Sequence, residues 1–566
     1  MQTRDFVVRF AGEGGQGVVT AAEMLARAAS SVGYHVQTFA TFPSQIMGGP
    51  TWTQTRISTS PVLSPGDDLD VLVALNHEAY QGHNEEVRSG GVILHDSEFE
   101  SPDDERAIGV PFDELAKQAG EARSANMVII GALAHLVDMP LAFFEDFVQK
   151  RFAGREGIIA ANVAALRLGY EHASDSEVQI GQLEPPVKPE GEQLLIKGNE
   201  ALSMGAIAAG LDFYVGYPIS PATPVLLFME RNLVGPGKFA YQVSSEIESI
   251  AGLLGAGFAG KKAMTATSGP GLSLMSEGIG LSWIAEIPLL VIDVQRGGPA
   301  TGLPTKTEQS DLQAALHPAH GDVSIPVIAP GTVEECFYGG VMALNWSERY
   351  QGPVILLSEM SLAEKAQNIP KPDLGQVVSE SREVYTGTNG YLRYDGWELS
   401  PMPIPGGPGA YVANGSEHDA MGDTTHLPER HVQMTERRFS KLKLLEDGPF
   451  ERVNGDEPIA LMTWGGSKGP SIEAYEDLIT EGHKLAWYYT MCLNPLPPAL
   501  LEELRSKDLV IVPELNYQGQ FSSYLRSLSV KAESITQFTG LPFKVRELKK
   551  RIIALAEACK GGKVAA

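Results

Sequence analysis

Short apolar runs alternate with helical patterns along most of the chain. An apolar run at 6–10 precedes a helical pattern over 18–31, and a second strand pattern follows at 35–42. Runs of the same kind recur at 289–294, 354–357, 459–464 and 509–512. Short β-branched runs that alternate with helices are typical of α/β units with parallel sheets. The pattern therefore predicts an α/β fold class.

Two stretches rich in proline and glycine divide the chain. The first, 184–192, is predicted to be a linker between domains. The second has little periodicity and predicts a long irregular segment over 371–457, of the kind that crosses a surface or an interface. These breaks predict three α/β domains, which span 1–183, 193–370 and 458–566.

Charge and cysteine content exclude several functional classes. The 566 residues include 44 Lys and Arg against 70 Asp and Glu, a formal charge of −26, which disfavours binding to nucleic acid or to anionic lipid. The three cysteines form no CxxC motif, so we expect neither a cysteine-ligated metal nor an iron–sulfur cluster in this chain. The start has no signal-peptide pattern and no apolar stretch is long enough to span a bilayer, which indicates the cytoplasm.

A glycine cluster lies between the first strand and the first helix. Gly12, Gly14 and Gly17, with Gly15 between them, have the spacing of a dinucleotide-binding loop. The next strand lacks the acidic residue that would bind a ribose, which disfavours NAD. Two interpretations stay open: backbone amides at a helix N-terminus that bind the phosphates of another nucleotide-like ligand, or a structural tight turn. Gly48 and Gly49 are expected in the same crevice.

A second motif follows the apolar run at 213–215. Tyr217 and Pro218 are followed by Ser220, which has a proline on either side of it in the motif. The local sequence favours Ser220 as an ordinary helix N-cap with Pro221 at the first helical position. An N-cap at the end of a strand is also a common ligand site.

A helix with many glycines is predicted over 244–260. Glycines in a helix are destabilising, so we expect something to pack very close to it. Of its two acidic residues, Glu246 and Glu248, one is expected to be buried with a partner and the other to suit the positive end of the helix dipole.

The fourth motif follows the strand at 289–294. Arg296 is followed by two glycines and several hydroxyl residues that include Thr305, a composition suited to binding a carboxylate or phosphate, although an isolated salt bridge is the alternative. His317 and His320 are candidate acid–base groups, but such pairs are more often structural.

Together these motifs resemble one family. The segments 216–221, 244–252, 266–271 and 295–305 resemble the α subunit of 2-oxoacid:ferredoxin oxidoreductases. Residues 12–17 resemble the family's γ module, and 464–470 with 513–519 resemble the C-terminal domain of the α subunit. The resemblance implies a Rossmann-like γ module, a pyrimidine-type thiamine diphosphate-binding domain and a transketolase C-terminal-like domain. The fused γ–α order is that of the 2-oxoglutarate-type enzymes.

The resemblance also implies roles for the motif residues. Glu246 matches the family's glutamate on the pyrimidine ring of thiamine diphosphate, with Tyr217 and Pro218 beside the cofactor. Ser220, Arg296 and Thr305 match the substrate-binding positions, where Ser220 replaces a threonine. The two glycine segments would lie near coenzyme A. A separate β subunit would hold Mg²⁺, the diphosphate and a 4Fe–4S cluster, in a dimer of αβ units.

The function implied is the reversible oxidative decarboxylation of 2-oxoglutarate to succinyl-CoA and CO₂, with electrons passing to ferredoxin, and activity only with the β subunit. Pyruvate or a branched-chain 2-oxoacid is the alternative substrate. Two competing classes are a self-contained NAD oxidoreductase and a non-enzymatic scaffold or nucleotide-binding regulator. Ferredoxins are usually acidic, so the charge of this chain predicts that electrons leave through the β subunit.

Overall fold

The computed structural model describes residues 2–3, 5–43, 48–99, 103–176, 178–388, 390–397 and 399–561. The chain forms two compact units, Met1–Ile196 with Lys365–Lys371, and Lys197–Glu364 with Pro372–Ala566. Three sheets of five or more strands are flanked by helices, so the predicted α/β class is confirmed. Within the described ranges, no helix is both long enough and apolar enough to cross a membrane.

The first unit is built on an eight-stranded sheet. In spatial order its strands are Ala107–Val110, Val87–Asp96, Leu69–Ala74, Asp5–Glu13, Pro50–Ser58, His35–Thr41, Ala366–Pro370 and Gln193–Lys197. A short parallel pair joins Gln2–Thr3 to Gln182–Leu183. The helices are Val18–Val32, His77–His83, Phe112–Gln118, Ala125–Leu136, Leu141–Arg151 and Glu156–Ser174, with 3₁₀ turns at Asn84–Glu86 and Ala122–Ser124.

This sheet is mixed rather than parallel throughout. Pro50–Ser58 pairs antiparallel with both Asp5–Glu13 and His35–Thr41 and lies between them. The connection from His35–Thr41 back to Pro50–Ser58 is eight residues long, too short for the crossover that parallel neighbours need, and such a short connection joins antiparallel neighbours. The expectation of parallel sheets is therefore wrong for these three strands and holds on the side of Leu69–Ala74.

The strand Ala366–Pro370 returns to the first unit, whereas the predicted boundary places it at the end of the second domain. It pairs antiparallel with His35–Thr41. The side chain of Asn368 accepts a hydrogen bond from the Val36 amide at 2.7 Å and donates to the Tyr34 carbonyl at 3.0 Å. These contacts join residues more than 300 positions apart, and no local pattern contains them.

The second unit contains two sheets. The larger has seven strands in the order Phe239–Gln242, Phe213–Gly216, Ala263–Thr267, Leu289–Gln295, Pro353–Glu359, Val327–Ile328 and Cys492–Asn494, of which the first six are parallel. The smaller has five, Glu451–Val453, Ala486–Tyr489, Ile459–Thr463, Leu509–Glu514 and Ala532–Thr536, of which only the first is antiparallel. The strand Cys492–Asn494, which falls within the predicted third domain, thus pairs at the edge of the seven-stranded sheet.

Thirteen helices in the described part of this unit flank the two sheets. They are Gly198–Ala208, Thr223–Asn232, Glu246–Phe258, Gly269–Leu274, Ser276–Ala285, Leu312–Leu316, Val333–Tyr350, Met360–Ala363, Pro428–Ser440, Lys468–Thr480, Pro498–Arg505, Gln520–Ser527 and Val545–Lys560. Short 3₁₀ turns lie at Leu374–Gln376, Lys441–Leu445 and Gly465–Ser467.

The segment 371–457 is irregular only in part. It contains the helix Pro428–Ser440 and the edge strand Glu451–Val453. Arg437 donates to both oxygens of the buried Glu286 at 2.9 and 3.2 Å, and Lys441 donates to the same carboxylate at 3.1 Å. These cations lower the pKa of Glu286 against the effect of its burial. The segment is therefore fixed to the second unit by a buried ion cluster.

Helices Gly198–Ala208 and Val333–Tyr350 cross at a pair of glycines. A Cβ atom added at Gly205 would lie 2.0 Å from the carbonyl oxygen of Phe337, and one at Gly340 would lie 2.5 Å from the carbonyl oxygen of Leu202. Because both obstacles are backbone atoms, only glycine allows this approach.

We predict that Gly205→Ala destabilises the chain by about 1–3 kcal/mol, as overpacking does. Gly255→Ala is the control, since a Cβ atom there meets nothing within 4 Å, and alanine should raise stability by up to about 1 kcal/mol in that helix. Thermal unfolding of the purified variants measures both. Equal midpoints for the two variants would contradict the assigned crossing.

Candidate active site

Three neighbouring parallel strands of the seven-stranded sheet end at one edge. They are Phe213–Gly216, Ala263–Thr267 and Leu289–Gln295. The residues that follow them begin three of the predicted motifs, so the topology places those motifs at a common edge. The carboxyl edge of such a sheet is where ligands bind in open α/β folds.

Glu246 is the buried acid of the glycine-rich helix. Its residue is 5% exposed, whereas Glu248 is exposed. Glu248 accepts hydrogen bonds from the Ser244 hydroxyl and amide at 2.7 and 2.9 Å, which lower its pKa. No donor among the described residues reaches the Glu246 carboxylate. Of the two acids, Glu246 is the one left available to a ligand.

The short helix Gly269–Leu274 begins between two acidic side chains. A Cβ atom at Gly271 would lie 2.8 Å from Oε1 of Glu246, and one at Gly269 would lie 2.7 Å from Oδ2 of Asp311. Glycine at both positions therefore lets the backbone lie directly against the carboxyl groups. This places Glu246 and Asp311 on either side of one helix start.

The guanidinium group of Arg296 lies at the end of the strand Leu289–Gln295. Its Nη1 donates to the main-chain carbonyl of Ser220 at 2.5 Å, and its buried Nε has no partner in the structure. Burial lowers its pKa, but a guanidinium stays charged at neutral pH. Arg296 thus fixes the Ser220 loop and keeps donor capacity for an anion.

Ser220 is not a helix cap, so that expectation is wrong. The helix begins at Thr223 with Ala222 in the cap position. The amides of Ala222 and Thr223 both donate to the Ile219 carbonyl, at 2.8 and 3.0 Å, which inserts a turn between Ser220 and the helix. The Ser220 side chain is exposed, and its hydroxyl group makes no hydrogen bond to the described residues.

Thr305 comes close to Arg296 because the intervening loop folds back. The Gly297 amide donates to the Lys306 carbonyl at 3.0 Å, and the Leu303 amide donates to the Gly297 carbonyl at 2.8 Å. Arg296 and Thr305 are each one residue from this contact. The backbone positions of the predicted cation and the predicted hydroxyl residue are therefore neighbours.

A pair of aspartates, Asp293 and Asp311, lies beside Arg296, and none of the sequence motifs indicated their role. Asp293 is fully buried, and burial together with the Asp311 carboxylate raises its pKa well above the usual value. Burial also raises the pKa of Asp311, to about 6. Near neutral pH the pair therefore holds one proton and one negative charge. The available signal was a single acid in an otherwise apolar strand.

A cleft of about 600 Å³ lies in the first unit beside the first helix. Its lining includes Gly14, Gly15, Gly17 and Gly48, together with Thr20. Gly17 caps the helix with a φ of 84°, and no acidic residue occupies the helix's first turn.

Two of the predicted glycines stand outside this lining. The Gly49 carbonyl accepts from the Gly14 amide at 3.2 Å and so joins the two glycine segments, while Gly12 lies within the strand Asp5–Glu13. The strand His35–Thr41 has no acidic residue.

The remaining predicted residues lie in two places. Tyr217 and Pro218 follow the strand Phe213–Gly216 directly, at the same edge as Arg296, and Tyr217 is exposed. His317 and His320 are exposed after the helix Leu312–Leu316. No group of three His, Cys, Asp or Glu side chains within the described ranges is arranged to hold a metal ion.

Comparison with known proteins identifies the family. One family model, pyruvate ferredoxin/flavodoxin oxidoreductase, matches residues 7–172, and the thiamine diphosphate-binding model of pyruvate flavodoxin/ferredoxin oxidoreductases matches residues 204–437. The second match includes most of the segment that the sequence analysis places outside the domain.

Full-length relatives are similar along nearly the whole chain. The 2-oxoglutarate oxidoreductase subunit KorA of Mycobacterium tuberculosis is 32% identical over 97% of this chain and 91% of its own. Subunit alpha of 2-oxoacid:ferredoxin oxidoreductase 2 of Aeropyrum pernix is 30% identical over 98% of each chain.

Among solved structures, that of 2-oxoglutarate:ferredoxin oxidoreductase from Magnetococcus marinus, with 2-oxoglutarate, coenzyme A and succinyl-CoA bound, has a TM-score of 0.93. It is 37% identical and covers 98% of this chain and 99% of its own. The chain belongs to the 2-oxoacid:ferredoxin oxidoreductase family, an oxidoreductase class with a thiamine diphosphate-binding domain. The resemblance drawn from the motifs is confirmed.

The Asp293–Asp311 pair predicts a dependence of stability on pH. The pKa of Asp311, about 6 in the folded chain, lies above its ordinary value of 3.8, so the unfolded chain loses this proton first as pH rises. The resulting contribution to the free energy of unfolding is complete below about pH 4 and lost as pH rises through about 6. As pH rises between these values, the free energy of unfolding of Asp311→Asn should increase relative to that of the natural chain. The expected change is about 1.4 kcal/mol per unit of difference between the folded and unfolded pKa.

Urea unfolding between about pH 3 and pH 7 measures this difference and also covers the range below 4.5, the ordinary pKa of a glutamate, where the contribution of Glu248 is lost. Glu248→Gln is the control, because its pH dependence has the opposite sign. The pKa of Glu248 is lowered in the folded chain, so this group stabilises the fold at pH values above 4.5, its ordinary pKa, and the stabilisation is lost as pH falls. Parallel pH profiles for Asp311→Asn and the natural chain would contradict the raised pKa of Asp311.

Proposed function

We propose that this chain is the fused γ–α subunit of a 2-oxoglutarate:ferredoxin oxidoreductase. With a separate β subunit it converts 2-oxoglutarate and coenzyme A to succinyl-CoA and CO₂, and two electrons pass to ferredoxin. The observation that carries the proposal is the juxtaposition of a buried, unpartnered Glu246 with Arg296 at one sheet edge. The similar enzyme from Magnetococcus marinus binds the substrates named here.

The residues present fit thiamine diphosphate. Glu246 offers a buried carboxyl group that accepts no hydrogen bond from the residues the structure describes, and the backbone at Gly271 lies directly against it. We assign it to the pyrimidine ring nitrogen, where a hydrogen bond to the carboxyl group would favour the imino tautomer, with Tyr217 and Pro218 beside the ring. When bound, the cofactor supplies a nucleophilic carbon and an electron sink.

Arg296, Ser220 and Thr305 form the proposed site for the 2-oxoacid. The guanidinium group pairs with the substrate carboxylate, and the two hydroxyl groups donate hydrogen bonds near it. Because the Asp293–Asp311 pair keeps one proton, only one negative charge of the pair lies next to Arg296. The positive charge of Arg296 is therefore not outweighed by two carboxylates. The second carboxylate of 2-oxoglutarate requires a further cation, which the β subunit would supply; pyruvate or a branched-chain acid would not need it.

A β subunit is proposed to complete the site. Three apolar side chains near Glu246 are exposed in the single chain: Tyr217 at 40%, Ile247 at 59% and Leu274 at 52%. Apolar side chains grouped around a polar site are typical of a surface that a partner covers. We assign Mg²⁺ and a 4Fe–4S cluster to that subunit, because the three cysteines of this chain are fewer than a four-cysteine cluster needs. A dimer of αβ units is the assembly we expect.

Coenzyme A is proposed to bind at the glycine-lined cleft of the first unit. Main-chain amides at the start of the helix Val18–Val32 and the positive end of its dipole attract phosphate groups.

The catalytic assignment is tested on the complex with the β subunit. We expect Glu246→Gln to lower kcat by about 10²–10⁴-fold, the usual effect of removing an acid–base group. Arg296→Lys should mainly raise KM for the 2-oxoacid, since it keeps the charge and loses the planar donor pair. Glu248→Gln is the control and should keep full activity.

The assay is anaerobic viologen reduction with a panel of 2-oxoacids and coenzyme A. A complex that holds thiamine diphosphate and its cluster but reduces no acceptor would overturn the function. A preference for pyruvate would overturn the substrate alone.

The coenzyme A assignment is tested by charge. Thr20 is exposed in the cleft, and Thr20→Glu should raise KM for coenzyme A roughly tenfold by repelling its phosphates, a change of about 1.4 kcal/mol in binding. Thr20→Gln has the same shape without the charge and should leave this KM unchanged. An equal effect of the two variants, or an effect on KM for the 2-oxoacid instead, would count against the site.

A further inference from the structure

The far end of the Arg296–Thr305 loop is held by one buried glutamine. Gln309 is 0% exposed and makes four hydrogen bonds to the C-terminal part of the unit. Its amide donates to the Leu515 carbonyl at 2.7 Å, and its Oε1 accepts from the Leu515 amide at 3.0 Å. Its Nε2 donates to the Trp464 carbonyl, and its own carbonyl accepts from Nδ2 of Asn516, both at 3.0 Å.

Neighbouring bonds extend this attachment. Nε2 of Gln520 donates to the Ser310 carbonyl at 2.7 Å, and Oε1 of Gln520 accepts from the Gln313 amide at 3.0 Å. The Thr307 amide donates to the Gly540 carbonyl at 3.2 Å. Residues 307–313 are therefore fixed along their length by loops outside the seven-stranded sheet.

The attaching loop is itself held rigid by a buried carboxylate. Glu514 accepts from the amides of Phe521 and Ser522 at 2.7 and 2.9 Å and from Nδ2 of Asn516 at 3.1 Å. Oδ1 of Asn516 accepts from the Gly519 amide at 2.7 Å. These bonds fix the orientation of the Asn516 amide group, so that its Nδ2 points to the carbonyl of Gln309.

The attachment is continuous with the substrate loop. Two residues beyond Gln309, the Asp311 amide donates to Oε1 of Gln295 at 3.0 Å, directly before Arg296. On the other side, the Lys306 carbonyl accepts from the Gly297 amide at 3.0 Å, directly after Arg296. A shift of residues 307–311 must therefore move Arg296 and Thr305.

We propose that the loop 514–520 of the C-terminal domain positions the substrate loop, and that Asn516, Gln520 and Gln309 are positioning residues for 2-oxoacid binding. The inference rests on the proposed function of Arg296 and Thr305. It gives the C-terminal domain a part in the reaction although its side chains touch no reacting atom. Geometry held by such an outer layer is what fixes a binding group in its productive position.

The test compares two asparagines in the holoenzyme with its β subunit. Asn516→Ala removes an amide-to-carbonyl bond to Gln309. Asn494→Ala is the matched control, because Nδ2 of Asn494 also links this domain to the other sheet, through the Ile325 carbonyl at 2.7 Å, but away from the loop. We expect Asn516→Ala to raise KM for the 2-oxoacid about tenfold, because the bond to Gln309 and the bonds that hold Asn516 within its own loop are lost together, with KM for coenzyme A unchanged.

Backbone hydrogen exchange in residues 296–306 is the readout independent of activity, and we expect it to quicken in Asn516→Ala and to stay unchanged in Asn494→Ala. Equal KM values and equal exchange in the two variants would overturn the proposal. If Asn516→Ala does not fold, Gln520→Ala replaces it, with the same expectations. Failure of the proposed function is distinguishable, because then the natural complex itself shows no activity with any 2-oxoacid.

Discussion

The parallel order of three strands is the constraint on which the candidate site depends. Because Phe213–Gly216, Ala263–Thr267 and Leu289–Gln295 run in the same direction, the segments that leave them emerge at one edge. The Ser220 loop and Arg296 meet there in a single hydrogen bond, and the helix start at Gly269–Gly271 separates Glu246 from Asp311. The direction of the strands thus makes neighbours of Ser220 and Arg296, which are 76 positions apart in the sequence.

Two buried acidic side chains of this unit have different surroundings. Glu286 is surrounded by Arg437 and Lys441 and is therefore a structural anion, whose attraction to its partners offsets the cost of burial. Glu246 is also buried but accepts no hydrogen bond from the described residues. A buried carboxyl group without a partner is costly to the fold, and such a cost is common where a ligand completes the site.

Asp293 and Asp311 add an electrostatic condition to the same edge. Two ionised carboxylates beside Arg296 would attract that cation strongly and compete with a bound anion. A pair that retains one proton carries a single negative charge and competes less. The segment that follows Arg296 is meanwhile attached through Gln309 to Trp464 and Asn516. Charge and geometry at Arg296 are thus set by groups that a motif search does not include.

Local patterns in the sequence were sufficient for the elements and the family. The apolar runs and helical patterns predicted strands and helices at Leu289–Gln295 and Val18–Val32, because burial of one face or of a whole strand leaves a local period. The motif residues identified Arg296, Thr305 and the two alternative acids.

The tertiary structure decided between Glu246 and Glu248, moved the helix start away from Ser220, and returned the strand Ala366–Pro370 to the first unit. It also paired Asp293 with Asp311 and joined Gln309 to Asn516. The helix start was set by a local turn that the residue types at 219–223 do not distinguish from a cap. The other four share one physical reason: burial, strand pairing and hydrogen bonding between distant segments depend on which residues the fold brings together, and no local period records that.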